Sequence, residues 1–440
     1  MADRQGESSD GGEGGAGGGQ RSFGRDVVWN MGGFAALALS GVLVNLVIGR
    51  FYGPAVLGVF NQVLAFYILA AQFAVFGVHF SVLRRVSVLS AAAGTEARQE
   101  IAAEVGSALV AVAGVASFVV LAGFLFTPAI GLIVGSDDVM TGWLFVLPGL
   151  WLYSVNKVLL NTVNGLHHMR AFAIFQSSRF LLVLAFVFLW MAMDYSGPSI
   201  AASISLGEVV LSVGLAGYLG RHVALRAVLE FERIRTHLVF GFRSALSGSL
   251  SELNTRVDVL VLGIFLSDTA VGIYSIAALV MEGISQLPIV VRNVLNPTIA
   301  RLLEAGRQAE LEVEIRKIAR LTYGGVAVAA LIACLVFPFF VEIVLGNPRY
   351  LDGLPSAIIL ALGIVAAAGY LPLDMLLVQG NRPGTQTIFK ALVVLSNLVL
   401  NFALVPFLGM EGAALGTAGA YVLYVVWMKI LARRTLGLTV

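Results

Sequence analysis

Residues 244–274 read SALSGSLSELNTRVDVLVLGIFLSDTAVGIY. The stretch is apolar enough to cross a bilayer, yet Glu252, Arg256 and Asp258 lie near its middle. A charge at the centre of a spanning helix costs about 2.5–3.5 kcal/mol on insertion scales, so it is expected to face a cavity or a partner. Arg256 and Asp258 are two positions apart and point to different sides of a helix, so each is expected to have its own surroundings. The alternative is that these charges only join helices within a bundle.

The stretch has a counterpart in the first half of the chain. With a shift of 214 positions, 49–60 aligns with 263–274 without a gap, and further on 94–101 aligns with 306–313 after the register moves by two. Internal repeats in membrane transporters place the binding site at the repeat interface near the bilayer midplane. We therefore expect 244–274 to line such a site.

The composition is that of a membrane protein. The chain has 440 residues, of which 58% are hydrophobic and only 12% charged, whereas a soluble domain carries about 25% charged residues. Cys334 is the single cysteine, which excludes an intramolecular disulfide and a cysteine metal cluster. Basic patches do not exceed the size of a loop, so no nucleic-acid partner is expected. No motif indicates a catalytic residue, a metal site or a cofactor.

The pattern of apolar segments predicts an all-α polytopic membrane protein. Residues 1–22 are rich in Gly and Ser and are predicted to be a disordered tail. A first half over 23–220 and a second half over 244–440 flank a linker at 221–243. Together the halves carry twelve segments of spanning length, six in each: 27–49, 55–80, 103–126, 139–164, 171–193, 199–220, 244–266, 270–297, 321–345, 354–379, 385–407 and 412–432.

The basic residues fall almost entirely on one side of these spans. Of the 28 Lys and Arg residues, 21 lie on the side of the chain termini, Arg50 and Arg349 lie on the other, and five lie within spans. Loops rich in Lys and Arg stay in the cytoplasm. Both termini are therefore predicted to be cytoplasmic, as an even number of spans requires.

Four of the cations within spans are predicted to bind cargo: Arg256, Arg292, Lys157 and Arg179. Arg256 is the deepest, and the fifth, Lys390, lies just inside its span and can reach the interface. A group of cations in a membrane cavity suits an anionic cargo, because Arg holds a phosphate through two parallel hydrogen bonds while Lys acts as a point charge. Structural ion pairs between spans are the competing interpretation.

Two acids within spans, Glu282 and Asp258, are candidates for binding a coupling proton or sodium ion. Burial raises the pKa of a carboxylic acid in general, and such a group then titrates near neutral pH. Here too, ion pairs within the bundle are the alternative.

At four places the chain resembles the polysaccharide-biosynthesis flippases of the multidrug/oligosaccharidyl-lipid/polysaccharide exporter superfamily. These are 49–60, its counterpart 256–274, 296–302 and 409–414, and the resemblance extends over 25–435. It implies a MATE-like architecture of two six-helix lobes around a cavity lined by spans 1, 2, 7 and 8. It also implies alternating access and export of a polyprenyl-diphosphate-linked oligosaccharide. We further predict a monomer in the cytoplasmic membrane, with membrane lipids as partners.

Two other functions remain open from the sequence. A multidrug or cation antiporter of the same superfamily is expected to favour acidic over basic groups in its cavity. A membrane glycan polymerase or ligase needs a large external loop that holds catalytic residues, and the external loops here are short.

Overall fold

A computed structural model describes residues 16–92 and 94–439; of residues 16–28, 30, 31, 34, 245–249 and 251 it describes the backbone alone. The predicted tail therefore lies outside the described residues over 1–15, and 16–22 belong to the first helix. The described residues form no strand. Their α-helices are α1 Ala16–Phe51, α2 Gly53–Val75, α3 Val78–Ser90, α4 Thr95–Leu125, α5 Thr127–Val134, α6 Asp137–Gly165, α7 Met169–Ala192, α8 Ala202–Leu219, α9 Phe231–Asn254, α10 Val257–Phe265, α11 Asp268–Glu304, α12 Gln308–Phe340, α13 Leu354–Ala367, α14 Leu376–Gln379 and α15 Pro383–Leu436.

Short tighter or wider helical turns extend several of these helices. A 3-10 turn at Gly197–Ala201 precedes α8, another at Pro348–Gly353 precedes α13, and a third lies at Leu371–Leu373. A π-helical turn at Val341–Leu345 continues α12.

The number of membrane spans follows from helix lengths. In the described part of the chain, nine helical segments are long and apolar enough to cross a membrane. One of them, α15, has 54 residues, about 80 Å of helix against a hydrocarbon core of about 30 Å. Gly409 breaks it with φ 60° and ψ −133°, so α15 supplies two spans. Together with α1, whose apolar part is Ala35–Phe51, and the pair α9 and α10, these segments are compatible with the predicted twelve spans.

The two halves repeat the same helix order in nearly constant register. The α1–α2 turn follows Phe51 and the α10–α11 turn follows Phe265, again 214 positions apart. The same shift separates the first residues of α7 and α15. Gly197 and Gly409, which precede the last span of each half, both adopt positive φ (69° and 60°), a conformation that glycine reaches without strain.

The halves cross closely at the end opposite the basic loops, here called the acidic end. A Cβ atom added to Gly58 of α2 would lie 1.8 Å from the carbonyl oxygen of Asp268 in α11. One added to Gly272 would lie 1.9 Å from the carbonyl oxygen of Pro54. The shift of 214 relates Gly58 to Gly272 and Pro54 to Asp268. The two contacts are therefore equivalent, and the crossing has approximate two-fold symmetry. Only glycine lets the two backbones approach this closely.

Side chains add further bonds between the halves at the acidic end. The Asp268 carboxylate accepts hydrogen bonds from Gln62 Nε2 and Ser136 Oγ, each at 2.7 Å. Arg50 Nη1 donates to the Val344 carbonyl oxygen at 2.7 Å. A continuous hydrophobic core runs through both halves here, so the molecule is closed at the acidic end.

At the opposite end, here called the basic end, α9 connects the halves. The front of α9 packs on α3 and α4 of the first half and its rear on α15 of the second. Glu104 of α4 accepts from Arg85 and Arg233 at 2.7 Å, and its other oxygen lies 3.2 Å from His237 Nε2. The segment 221–243, predicted as a linker, is thus helical in its second part and fixed to the first half.

Candidate functional site

A break in the seventh span sets the geometry of the site. α9 ends at Asn254 and α10 begins at Val257, so Thr255 and Arg256 lie between two helices. The approach to the break is rich in Ser and Gly over 244–251, residues that favour helices weakly. A broken helix in a membrane is tolerated where it lines a cavity. The break lets Arg256 and Asp258 line different cavities.

Three cavities meet at this break. The central cavity, about 660 Å³, lies between the halves and is lined mainly by α1, α2, α10 and α11, the spans that the resemblance implied. The N-lobe cavity, about 370 Å³, lies in the first half. The C-lobe cavity, about 330 Å³, lies in the second. Arg256 lines the central and N-lobe cavities, whereas Asp258 and Glu282 line the central and C-lobe cavities.

Three of the four predicted cargo-binding cations, Lys157, Arg179 and Arg256, come together in the N-lobe cavity. Arg256 Nε is buried and has no hydrogen-bond partner among the described residues. Lys157 forms no ion pair with any residue that the structure describes. His79, which lines the same cavity, has a buried Nδ1 that likewise lacks a partner there. The cavity therefore gathers cations and buried polar atoms that lack hydrogen-bond partners among the described residues.

Arg179 is held in place by a buried ion pair. Its Nε lies 2.7 Å from Glu208 Oε1, and its guanidinium stacks over Tyr153 at 4.4 Å from the ring centroid. The other Glu208 oxygen accepts from Asn156 Nδ2 at 2.8 Å. Arg179 Nη2 remains without a hydrogen-bond partner in the described part of the chain. Its charge is thus partly neutralised, while one arm of its fork stays available.

The fourth cation, Arg292, lies in the C-lobe cavity, apart from the other three. Its Nη1 is 3.3 Å from Asp374 Oδ2. Lys390 forms an ion pair with the same carboxylate, and Tyr424 Oη donates to it at 3.3 Å. Asp374 therefore holds both cations but neutralises only one of the two positive charges, and the group keeps a formal charge of +1.

The two predicted coupling acids differ in their surroundings. Asp258 accepts from Tyr274 Oη at 2.8 Å and from the Val259 amide at 2.9 Å, both neutral donors. Glu282 is exposed to the cavity and forms no ion pair among the described residues. Neither carboxylate forms an ion pair with a described residue, although the positive charge of Arg256 acts on Asp258 through space.

The two lobe cavities have opposite formal charge. Three cations and two acids, Glu208 and Glu252, line the N-lobe cavity, which gives it a formal charge of +1. Two cations and three acids line the C-lobe cavity, which gives it −1. The site is thus positive on one side of the broken helix and negative on the other.

The sequence matches a known family over more than half of its length: residues 23–303 match the family described as polysaccharide biosynthesis protein. The chain belongs to this family. An uncharacterized membrane protein of Methanocaldococcus jannaschii is 22% identical over 428 residues, which cover 92% of this chain and 82% of that protein.

Several solved structures share the fold of this chain. An inward-facing multidrug resistance MATE family transporter superposes with a TM-score of 0.73 at 14% identity, over 91% of this chain and 95% of that one. The lipid II flippase MurJ, in an inward closed conformation, gives 0.75 at 14% identity, over 92% and 87%. A Pyrococcus furiosus transporter of the same superfamily, whose binding pocket is described as having reverse polarity, gives 0.60 at 14% identity, over 95% and 96%.

The family match confirms the predicted polysaccharide-biosynthesis family, and the solved structures confirm the predicted MATE-like architecture.

Sequence reasoning did not select three residues that shape the cavities of this family member. His79 follows a break between α2 and α3, where Phe76 and Gly77 take positive φ, and the sequence carries no clear signal for that break. Asp374 lies 82 positions from Arg292, a separation that hides the pairing. Tyr153 stands four residues before Lys157, a helical spacing that was available as a signal.

Proposed function

We propose that this protein flips a polyprenyl-diphosphate-linked oligosaccharide across the cytoplasmic membrane for the synthesis of surface polysaccharide. The observation that carries the proposal is the convergence of Lys157, Arg179 and Arg256 on one cavity with donors left unpartnered among the described residues. Buried donors without partners are costly, and the oxygens of a diphosphate satisfy several at once through charge-assisted bonds.

Each cation has its own part in this proposal. Arg256 lies where the central and N-lobe cavities meet, so it engages the diphosphate first. Arg179, fixed by Glu208 and Tyr153, offers a rigid second fork, and Lys157 adds a mobile point charge. Arg292 has a lesser part, because Asp374 already holds it in the other cavity.

Purified protein in vesicles that contain a fluorescent lipid-linked oligosaccharide tests the proposal. Arg256→Ala is expected to abolish flipping, and Arg256→Lys to retain part of it, because Lys keeps the charge but loses the fork. Arg316→Ala, at the basic end outside the cavities, is the matched control and leaves flipping unchanged. Flipping by Arg256→Ala at the wild-type rate would contradict the proposed role.

A purely structural role for Arg256 predicts a different result. Glu252 stands four residues before it and lines the same cavity, yet no ion pair joins the two side chains. If Arg256 only stabilised the fold through Glu252, Glu252→Gln would lower thermal stability in detergent as much as Arg256→Ala does. We expect both variants to remain monodisperse and as stable as the wild type.

A cation antiporter is the second candidate, and the carboxylates Asp258 and Glu282 favour it. In the flippase proposal the same groups bind a proton or sodium ion that couples flipping to a gradient. Glu282→Gln or Asp258→Asn is then expected to remove the dependence of flipping on the ion gradient. Efflux of organic cations by the wild type, without flipping of lipid-linked cargo, would favour the antiporter instead.

We propose that both termini and the basic end lie in the cytoplasm. We also propose that the protein works as a monomer, since a single chain encloses all three cavities. In a Cys334→Ala background, cysteines at 194 and 411 are expected to react with an impermeant reagent added to intact cells. Cysteines at 235 and 307 should stay unlabelled, and labelling at 307 would overturn the orientation.

A further inference from the structure

The broken seventh span presents opposite charges to opposite halves of the molecule. Arg256 lines the positive N-lobe cavity and Asp258, two residues later, lines the negative C-lobe cavity. Both also line the central cavity that joins them. We propose that the C-lobe cavity receives the sugar end of the cargo and selects uncharged or amino-bearing sugars over acidic ones. This inference rests on the proposed flippase function.

The lining of the C-lobe cavity suits a sugar. Asp258 and Glu282 accept hydrogen bonds from hydroxyl groups, and the amides of Asn254 and Gln286 both donate and accept. Tyr421 and neighbouring aliphatic side chains supply an apolar surface for the ring face of a sugar. The volume of about 330 Å³ falls within the range of small-ligand pockets.

Charge determines which sugars fit. Asp374, Lys390 and Arg292 form an ion-paired group with a formal charge of +1, and Asp258 and Glu282 bring the cavity as a whole to −1. Asp258 and Glu282 form no ion pair among the described residues; Arg256 acts on Asp258 alone, so the charge of Glu282 in particular acts on whatever enters. A carboxylate on the sugar would face two carboxylates in a medium where like charges repel strongly. An ammonium group on the sugar would be attracted instead.

The same charges orient the cargo. A diphosphate is attracted to the N-lobe cavity, with its formal charge of +1, and disfavoured in the C-lobe cavity, with its formal charge of −1. A cargo in the central cavity therefore places its diphosphate toward the N-lobe cavity and its sugar toward the C-lobe cavity. The lipid chain takes no part in this choice.

Three cargoes that differ in one sugar test the inference: polyprenyl-diphosphate-glucose, -glucosamine and -glucuronic acid, each flipped in vesicles by the full chain. We expect the wild type to flip the glucose and glucosamine cargoes at least about tenfold faster than the glucuronic acid cargo, which corresponds to about 1.4 kcal/mol. Glu282→Gln is expected to reduce this ratio to about threefold or less. Gln286→Glu, which adds a carboxylate to the cavity, is expected to increase it.

The ratio of the glucose rate to the glucuronic acid rate distinguishes sugar selection from ion coupling, because loss of coupling slows the flipping of every cargo alike. Glu342→Gln, an acid outside the three cavities, is the matched control and leaves the ratio unchanged. Equal wild-type rates for the glucose and glucuronic acid cargoes would overturn the selection while the flippase function stands. So would an unaltered ratio in Glu282→Gln. Failure of the wild type to flip any of the cargoes would reject the proposed function itself, and this inference with it.

Discussion

The N-lobe and C-lobe cavities are built on corresponding helices, yet they carry opposite charge. At the constant shift of 214, Gln176 and Arg179 of α7 correspond to Lys390 and Val393 of α15, and all four line their cavities. The cation has moved by three residues, about one helical turn, while the helix has kept its register. The repeat thus determines where the helices run, whereas single side chains determine which charge each cavity attracts.

The acids that pair with these cations come from unrelated places. Glu208, the partner of Arg179, lies on the next helix and is 2% exposed. Asp374, the partner of Lys390, lies between α13 and α14 and also holds Arg292. In the N-lobe cavity, Lys157 and Arg256 therefore have no ion-pair partner among the described residues. In the C-lobe cavity, both cations are ion-paired with Asp374.

The largest effect is expected from breaking the N-lobe ion pair. Glu208→Gln leaves the buried Arg179 without its acid, and removing one partner of a buried pair costs about 3–5 kcal/mol. Denaturant unfolding in detergent would measure the loss. Glu282→Gln, which removes an acid of the other cavity that has no described ion pair, is expected to leave stability unchanged. Equal losses of stability in the two variants would contradict the claim that Glu208 stabilises the fold and Glu282 does not.

Unlike the two cavities, the crossing at the acidic end is symmetric, so substitutions at its two glycines should lower stability equally. Gly58→Ala and Gly272→Ala each push a Cβ into a facing carbonyl oxygen, and such overpacking costs typically about 1–3 kcal/mol. Gly114→Ala, with no atom within 4 Å of the new Cβ, is the control and should be neutral. The measurement is again unfolding in detergent. A clear difference between the two crossing variants would mean that the contact is not symmetric.

Replacing one lysine in each cavity shows which of the two cavities contributes more to cargo binding. Lys157→Gln removes a cation without a described acid partner, so the KM for lipid-linked cargo should rise about tenfold, a change of about 1.4 kcal/mol. Lys390→Gln removes one that Asp374 already holds, and its KM should change less than about threefold. Flipping assays over a range of cargo concentrations give both values. A larger effect at Lys390 would reverse the assignment of the two cavities.

The smallest effect concerns the aromatic ring under Arg179. Tyr153→Leu removes a cation–π contact worth about 0.5–1 kcal/mol, so the KM should rise about two- to fivefold. Tyr153→Phe keeps the ring and should behave as the wild type in the same assay. If both variants were equally impaired, the Tyr153 hydroxyl rather than its ring would be the group that matters.

Sequence patterns predicted the features that depend on local composition. The spans follow from apolar length, and the repeat register is visible because 49–60 and 263–274 keep similar residues. Arg256 stood out because a charge in an apolar segment is improbable unless it faces a cavity. These features directed the sequence prediction to helices that line the central cavity.

Features that depend on distant partners could not be predicted. Arg292 and Arg179 look alike in the sequence, and only the fold shows which acid each one meets. Arg233 and His237 lie in a polar stretch that suggested a linker. Their acid, Glu104, lies more than 120 positions earlier. A pairing over such a separation is set by packing of whole helices, which no local pattern encodes.

The position of α9 has a consequence for how this protein can be divided. The helix belongs by sequence to the second half, but Glu104 and the close passage of Gly77 past Gly241 fasten its front to the first half. The backbone between Leu219 and Phe231 contains no helix, so a cut there interrupts none. Two separately encoded polypeptides would each keep six spans, and the second would carry, at its beginning, a segment that recognises the first. Such a chain is suited to expression as a split gene.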